Sequence, residues 1–224
     1  TLNEISNDIT RYTPACFETT IDYCVVKVPR FNIEKFPDTD QTLTIHMKSV
    51  GEVMAIGRTF KEAIGKAIRS LESGRYGFES LWPSGSDKWS TEQRYEFLRT
   101  KLIIPNPDRL WHIADAMRFG LSLDDIYKWT HIDRWFLYNI KQILDMEAEI
   151  KQKYRNVKDE RQLAPLSQNE NDFTMDKDML TEAKQSGYSD KYLAYLCNVE
   201  EKTIRKYRQK EGVRPVFKHV DTCG

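Results

Sequence analysis

Met47-Lys48-Ser49-Val50-Gly51-Glu52-Val53-Met54-Ala55-Ile56-Gly57-Arg58-Thr59 is a short run rich in β-branched and apolar residues that passes without a linker into a helical pattern. Val50 to Ile56 reads as a strand. Thr59 and Glu62 then have the spacing of a capping box, in which both side chains satisfy free amides of a first turn. Phe60, Ala63, Ile64, Ala67, Ile68 and Leu71 fall on one face at helical spacing, and Gly74 stands where a C-terminal stop belongs. Upstream, Ile21 to Val28 is a second strand-like run, with Pro29, Pro37 and Asp38 in the long connection. The near-continuous apolarity of both runs predicts burial on both faces. Two strands alone are marginal, so further sheet is expected to complete them.

Downstream the pattern turns helical throughout. Ser90 with Gln93 starts one helix, and Asn106-Pro107 starts another that ends before Gly120. Ser122 with Asp125 starts a third, with Leu121 and Ile126 placed as a hydrophobic staple. Asp133 opens a long helix carrying Phe136, Leu137, Ile140, Ile143 and Leu144 on its apolar face. All five tryptophans lie between Trp82 and Trp135, which makes this block the expected core, with an interface as the role of any ring left exposed. Residues 151–172 are polar and charge-mixed and read as a linker. Three short helices follow, over Thr174 to Gly187, Ser189 to Cys197 and Val199 to Gly212. The fold class is therefore mainly α, a helical block preceded by a short α+β segment of two strands and a helix.

Composition bounds the partners. The 34 basic and 34 acidic residues cancel, so no net field draws nucleic acid or an anionic membrane from a distance. No run approaches the ~18–20 apolar residues of a membrane span. Cys16, Cys24, Cys197 and Cys223 form no C-x-x-C pair and read as reduced thiols of a cytoplasmic protein. Thr1 and the closing Cys223-Gly224 both read as cut ends of a longer chain.

Chemistry-bearing patterns are few. Gly51 and Gly57 are followed by no Lys-Ser/Thr, so the loop is no phosphate-binding loop. His46, His112, His131 and His219 are scattered, without the clustering a tetrahedral metal site requires. Asp124, Asp125, Asp133, Glu147 and Glu149 read as helix-start or solvated helix-face carboxylates. The rival motif spans residues 189–212, where two short helices imitate a helix-turn-helix whose second helix carries Arg205, Lys206 and Arg208. Between Asp190 and Arg214 seven Lys or Arg face four Asp or Glu, a modest excess for phosphate contacts.

The opening string, taken with Thr13-Pro14-Ala15-Cys16-Phe17-Glu18, Ile21-Asp22-Tyr23, Lys27-Val28-Pro29-Arg30-Phe31, Ile113-Ala114-Asp115-Ala116, Ile132-Asp133-Arg134-Trp135-Phe136-Leu137, Pro215-Val216-Phe217-Lys218 and Val220-Asp221-Thr222-Cys223-Gly224, resembles the middle of the large chain of carbamoyl phosphate synthetase. The resemblance covers nearly the whole chain. It implies that residues 1–75 close the first ATP-grasp module, that 76–215 form the all-helical oligomerisation domain with its polar linker near 151–173, and that 216–224 begin the connection to the second half. It also implies an ATP-dependent ligase that makes carbamoyl phosphate from bicarbonate, glutamine-derived ammonia and two ATP for arginine or pyrimidine biosynthesis. ATP and Mg or Mn belong to the full-length enzyme; no cofactor, metal ligand or catalytic residue is implied in this segment, which alone is expected to be inactive. Implied partners are a second copy through the helical domain, the remainder of the large chain and a glutaminase chain or domain. Met47, Val50 and Glu52 match the family's loop on the wall of the carbamate tunnel. Arg11-Tyr12 and Thr19 depart from the family pattern, where a Gly pair and a Pro are usual. The alternative is a nucleic-acid-binding protein acting through residues 189–212.

Overall fold

A computed structural model of the chain describes residues 1–17, 21–31, 40–155 and 173–218. Strands β1 (Cys24–Phe31) and β2 (Ser49–Gly57) pair antiparallel, with Cys24 opposite Gly57, Lys27 opposite Met54 and a register shift between Arg30 and Phe31. Pro29, expected in the connection, stands inside β1 opposite Glu52. A two-stranded ribbon leaves each strand one edge free of ladder bonds, and Pro is tolerated on such an edge.

Eight α-helices follow among the described residues: α1 (Phe60–Ser70), α2 (Thr91–Ile103), α3 (Arg109–Phe119), α4 (Leu123–Thr130), α5 (Arg134–Tyr154), α6 (Lys177–Gln185), α7 (Asp190–Cys197) and α8 (Glu201–Lys210). The mainly α architecture is the one the sequence predicts. Helix starts follow their side chains. The hydroxyls of Thr59, Ser90, Ser122 and Ser189 each accept a first-turn amide, and at Ser90 the Gln93 side chain completes a capping box. At α1 the second half of the box is displaced by one residue. Glu62 accepts the Arg58 amide at 2.8 Å while its other oxygen is held by Lys66. The helix ends at Ser70, so Gly74, with φ of 79°, shapes the following turn rather than the stop. α3 begins three residues beyond Asn106, whose side chain instead caps α2 by donating to the Lys101 and Ile104 carbonyls. Gly120 ends α3 in the left-handed region, as its position predicts. Tyr154 is still helical, so residues 151–154 belong to α5 rather than to the linker; positions 156–172 lie outside the described residues.

α1 buries Ala63, Ile64, Ala67 and Ile68 between the ribbon on one side and α5 on the other, with Ile68 beside Ile143 of α5. α5 is the spine, touching α1, α3, α4 and α7, and its Leu137, Ile140, Ile143, Leu144 and Ile150 join one continuous core. Phe136 does not join it and is 43% exposed. Of the five tryptophans only Trp111 is buried, its indole donating to the Gly77 carbonyl at 3.0 Å. The others line the rim, because a ring this large finds full cover only where several elements converge, as at α3.

One close approach fixes how α1 seats. Gly65 in α1 and Gly187 in the α6–α7 turn meet backbone to backbone, so that a Cβ on Gly65 would stand 2.7 Å from the Gly187 oxygen and one on Gly187 2.7 Å from the Lys61 oxygen. Gly187 also has φ of 90°.

His112, on α3, is buried against Phe97, and its Nδ1 has no hydrogen-bond partner among the described residues. Burial lowers its pKa below the ordinary 6.5, with Lys101 and Arg75 adding to the effect and Asp108 and Asp115 opposing it. The unfolded chain therefore takes a proton that the folded one refuses. Stability is full above about pH 6.5 and falls as the pH drops below that value, by up to about 1.4 kcal/mol per unit until the folded pKa is reached. Thermal midpoints at pH 7.5 and 5.5 check this: His112→Leu is expected to flatten the difference, and an unchanged slope would assign it to other groups.

Candidate functional site

β2 positions the three residues singled out for the tunnel wall. Successive side chains of a strand point to opposite faces. Val26, Val28, Val53 and Ala55 therefore pack toward α1, while Val25, Lys27, Val50, Glu52 and Met54 occupy the other face. Burial on both faces, expected from the apolar run, is not what the structure has: Val50 is 65% and Met54 64% exposed. The α1 helix is the only layer that covers the ribbon among the described residues. Met47 lies just before β2 and is 88% exposed, near the equally bare Ile45. Glu52 pairs across the ribbon with Lys27 at 2.8 Å. Val50 and Glu52 thus share one open face of β2, with Met47 at its approach.

Beneath the helices lies a polar centre that the sequence reading missed. Glu147, read as a solvated carboxylate, is 2% exposed. Its oxygens receive Arg118 of α3 at 2.7 Å, the Tyr192 hydroxyl of α7 at 2.8 Å and Lys151 one turn along α5. Arg118 also binds the buried Asp115 at 3.2 Å and the Phe78 carbonyl, and Asp115 accepts the Leu81 amide at 2.8 Å. Burial opposes the Arg118 charge, yet the Glu147 carboxylate outweighs it and holds the guanidinium pKa above its ordinary value. Tyr192 and Tyr188 are pushed up in turn, chiefly by burial and then by the Glu147 charge. The network ties α3, α5, α7 and the segment around Phe78 together; it has no opening for a substrate described among these contacts and serves as a structural clamp. The signal was present: Glu147 continues the Ile140, Ile143, Leu144 and Ile150 stripe at helical spacing.

A second charged centre sits between α6, α7 and α8. Asp190 binds Lys184 at 2.8 Å and Arg208 at 3.0 Å, with Arg205 at 3.9 Å also paired to Glu201. Arg205 and Arg208, the cations a recognition helix would present to a groove, are held in ion pairs within the helical block. Nothing in this arrangement favours the nucleic-acid alternative.

A third surface is aromatic. Trp135, 54% exposed, and Phe136 stand against Phe60 of α1 at ring distances of 5.3 and 5.5 Å, with the exposed Tyr138 on the next turn. Among the described residues no group of three or more His, Cys, Asp or Glu is gathered as metal ligands would be, and Cys16, Cys24 and Cys197 are free thiols. Burial pushes the Cys197 thiol up to about 12, which makes it an unreactive core residue.

What the fold and these surfaces define is a helical packing module with uncovered apolar ground on its ribbon and at the start of α5. Residues 52–212 match the family model described as the carbamoyl-phosphate synthetase large chain, oligomerisation domain, and the chain belongs to that family. It is 48% identical to the carbamoyl phosphate synthase large chain, N-terminal section, of Aquifex aeolicus, covering all of this chain and 35% of that protein. It is 47% identical to the carbamoyl phosphate synthase large chain of Archaeoglobus fulgidus and 42% identical to that of Pseudomonas aeruginosa, again over its full length but over 19% of each. The chain thus spans about a third of the first relative and about a fifth of the other two.

Proposed function

We propose that the chain works as an internal segment of a carbamoyl phosphate synthase large chain, the ATP-dependent ligase that combines bicarbonate, glutamine-derived ammonia and two ATP. The observation that carries this reading is the full-length similarity to three such large chains, each much longer than this sequence. The bare outer face of the β1–β2 ribbon supports it, since an apolar sheet face of this kind calls for a further layer from the rest of a larger protein. On this reading residues 1–75 end the first ATP-grasp module, residues 76–215 form the oligomerisation domain, and residues 216–224 lead to the second half. ATP with Mg or Mn acts elsewhere in the full-length enzyme, a glutaminase chain or domain supplies ammonia, and the enzyme works in the cytoplasm; no helix among the described residues is long and apolar enough to cross a membrane.

Self-association is the role of the helical block, and the exposed aromatics Trp135, Phe136 and Tyr138 supply material of the kind that centres stable interfaces. Light scattering over a concentration series is expected to give a mass above the 26.4 kDa of one chain. A strict monomer throughout would remove this role from the isolated segment.

Met47, Val50 and Glu52 are proposed to line the path of carbamate between the two modules. In the full-length enzyme Val50→Phe is then expected to lower overall carbamoyl phosphate synthesis about tenfold, some 1.4 kcal/mol, because the labile intermediate escapes to water. Bicarbonate-dependent ATP hydrolysis and ATP formation from ADP and carbamoyl phosphate should each stay near wild type. Val50 is exposed on the ribbon of this segment, but a covering layer in the full-length enzyme would be overpacked at a cost of about 1–3 kcal/mol, so an unfolding control accompanies the assay. A parallel fall of all three rates would return these residues to a purely structural role.

A further inference from the structure

The Asp190 centre opens onto a cleft of about 400 Å³ that none of the foregoing uses. Four cations from four helices converge on it: Arg69 of α1, Lys184 of α6, Lys191 of α7 and Arg205 of α8. Two carboxylates, Asp190 and Glu201, share the lining, and both are already engaged by these cations and by Arg208. Within the lining four positive groups face two negative ones. Two of the four cations are built in, while Lys191 and Arg205 stand at the solvent edge. Arg69 is anchored by donating to the Gly187 carbonyl at 2.7 Å, and Lys184 by donating to the Tyr188 carbonyl at 2.7 Å. Burial depresses the pKa of both, Asp190 opposes that in each case, and at Lys184 the neighbouring Arg208 and Arg69 charges depress it further. Lys191 lies over the Tyr76 ring at 3.9 Å and touches its hydroxyl, which gives the cleft a flat aromatic wall beside its cations.

We propose that this cleft is a binding site for a small phosphate-bearing anion. A phosphoryl group offers three acceptor oxygens, enough to engage the Arg69 and Arg205 guanidiniums and a lysine ammonium together, and its two negative charges offset most of the local excess. The volume falls within the range of small-molecule pockets, so the group can be free phosphate or the head of a phosphorylated metabolite seated against Tyr76. The site is separate from the ribbon face and does not depend on the tunnel reading.

Isothermal titration of the 224-residue chain with inorganic phosphate and with glycerol 3-phosphate, at constant ionic strength set by chloride, tests the proposal. Saturable one-site binding is expected. Each of Lys191→Ala and Arg205→Ala, both at exposed positions that leave the core intact, should weaken it about tenfold, the effect of one charge-assisted hydrogen bond. Arg69→Gln should abolish binding, with circular dichroism and an unchanged thermal midpoint confirming that the chain stays folded. Tighter binding of the ester than of free phosphate identifies a metabolite as the natural ligand, and equal binding identifies phosphate itself. Absence of saturable heat above the chloride background would overturn the proposal, as would unchanged affinity in the Lys191→Ala, Arg205→Ala double variant.

Discussion

Gly187→Ala is expected to lower the stability of the chain by about 2–5 kcal/mol, the sum of a left-handed backbone forced on an L residue and a hard contact that cannot relax. The new methyl would meet the Lys61 carbonyl at 2.7 Å, and backbone of a packed helix cannot turn aside as a side chain could. Gly120→Ala supplies the control. Its φ of 99° is equally unfavourable, but nothing lies within 4 Å of the added atom, so only the strain of about 1–2 kcal/mol should appear. Gly65→Ala discriminates further. Alanine in mid-helix ordinarily stabilises by about 1 kcal/mol over glycine. Here the sign should reverse, because the methyl would strike the Gly187 oxygen. Urea unfolding followed by tryptophan fluorescence reads all three, and a Gly65→Ala chain more stable than wild type would mean that α1 and the α6–α7 turn do not pack as described.

Removing Glu147 is expected to cost nearly as much. Glu147→Ala strips Arg118 of its chief partner, leaves the Tyr192 hydroxyl without its acceptor and opens a cavity under α7. Breaking a buried pair from one side costs about 3–5 kcal/mol. The lower end, about 3 kcal/mol, is expected here, because Arg118 keeps 26% of its side chain in water and can recover some hydration. Replacing both members, Glu147→Leu with Arg118→Leu, should restore part of the loss, since two apolar side chains leave no stranded charge. The difference between the double variant and the sum of the singles measures the coupling. Additive losses would show that the two groups act independently.

What the sequence disclosed, and what it withheld, divides along the range of the forces involved. Thr59, Ser90, Ser122 and Ser189 set helix starts through contacts two or three residues away, and such contacts are written in the local text. The apolar stripe of α1 was legible for the same reason. The two strands of the ribbon were legible, but its bare face was not, because Val50 and Met54 are apolar whether or not a second layer covers them, and only the three-dimensional arrangement shows that α1 lies on one side alone. Trp82, Trp89, Trp129 and Trp135 were assigned to the core by type, but a rim position satisfies a large ring as well. Glu147 looked like surface charge because its partner Arg118, 29 residues away in sequence, is brought to it only by folding. The tunnel candidates came from likeness to a family, and no local property of Met47, Val50 or Glu52 would have picked them out.

The β1–β2 ribbon also bears on how an uncovered sheet face avoids trouble. A bare apolar face and two open strand edges form a template onto which other chains can add strands, the first step toward fibrous aggregates. Three devices in the ribbon work against this. Pro29 deprives β1 of an amide in mid-strand, the register shift at Arg30 and Phe31 distorts the end where a new strand would dock, and the Lys27–Glu52 pair sets charge in the centre of the apolar face. An incoming strand would have to strip water from both charges and forgo one backbone bond. The uncovered face is thereby selective about what it accepts.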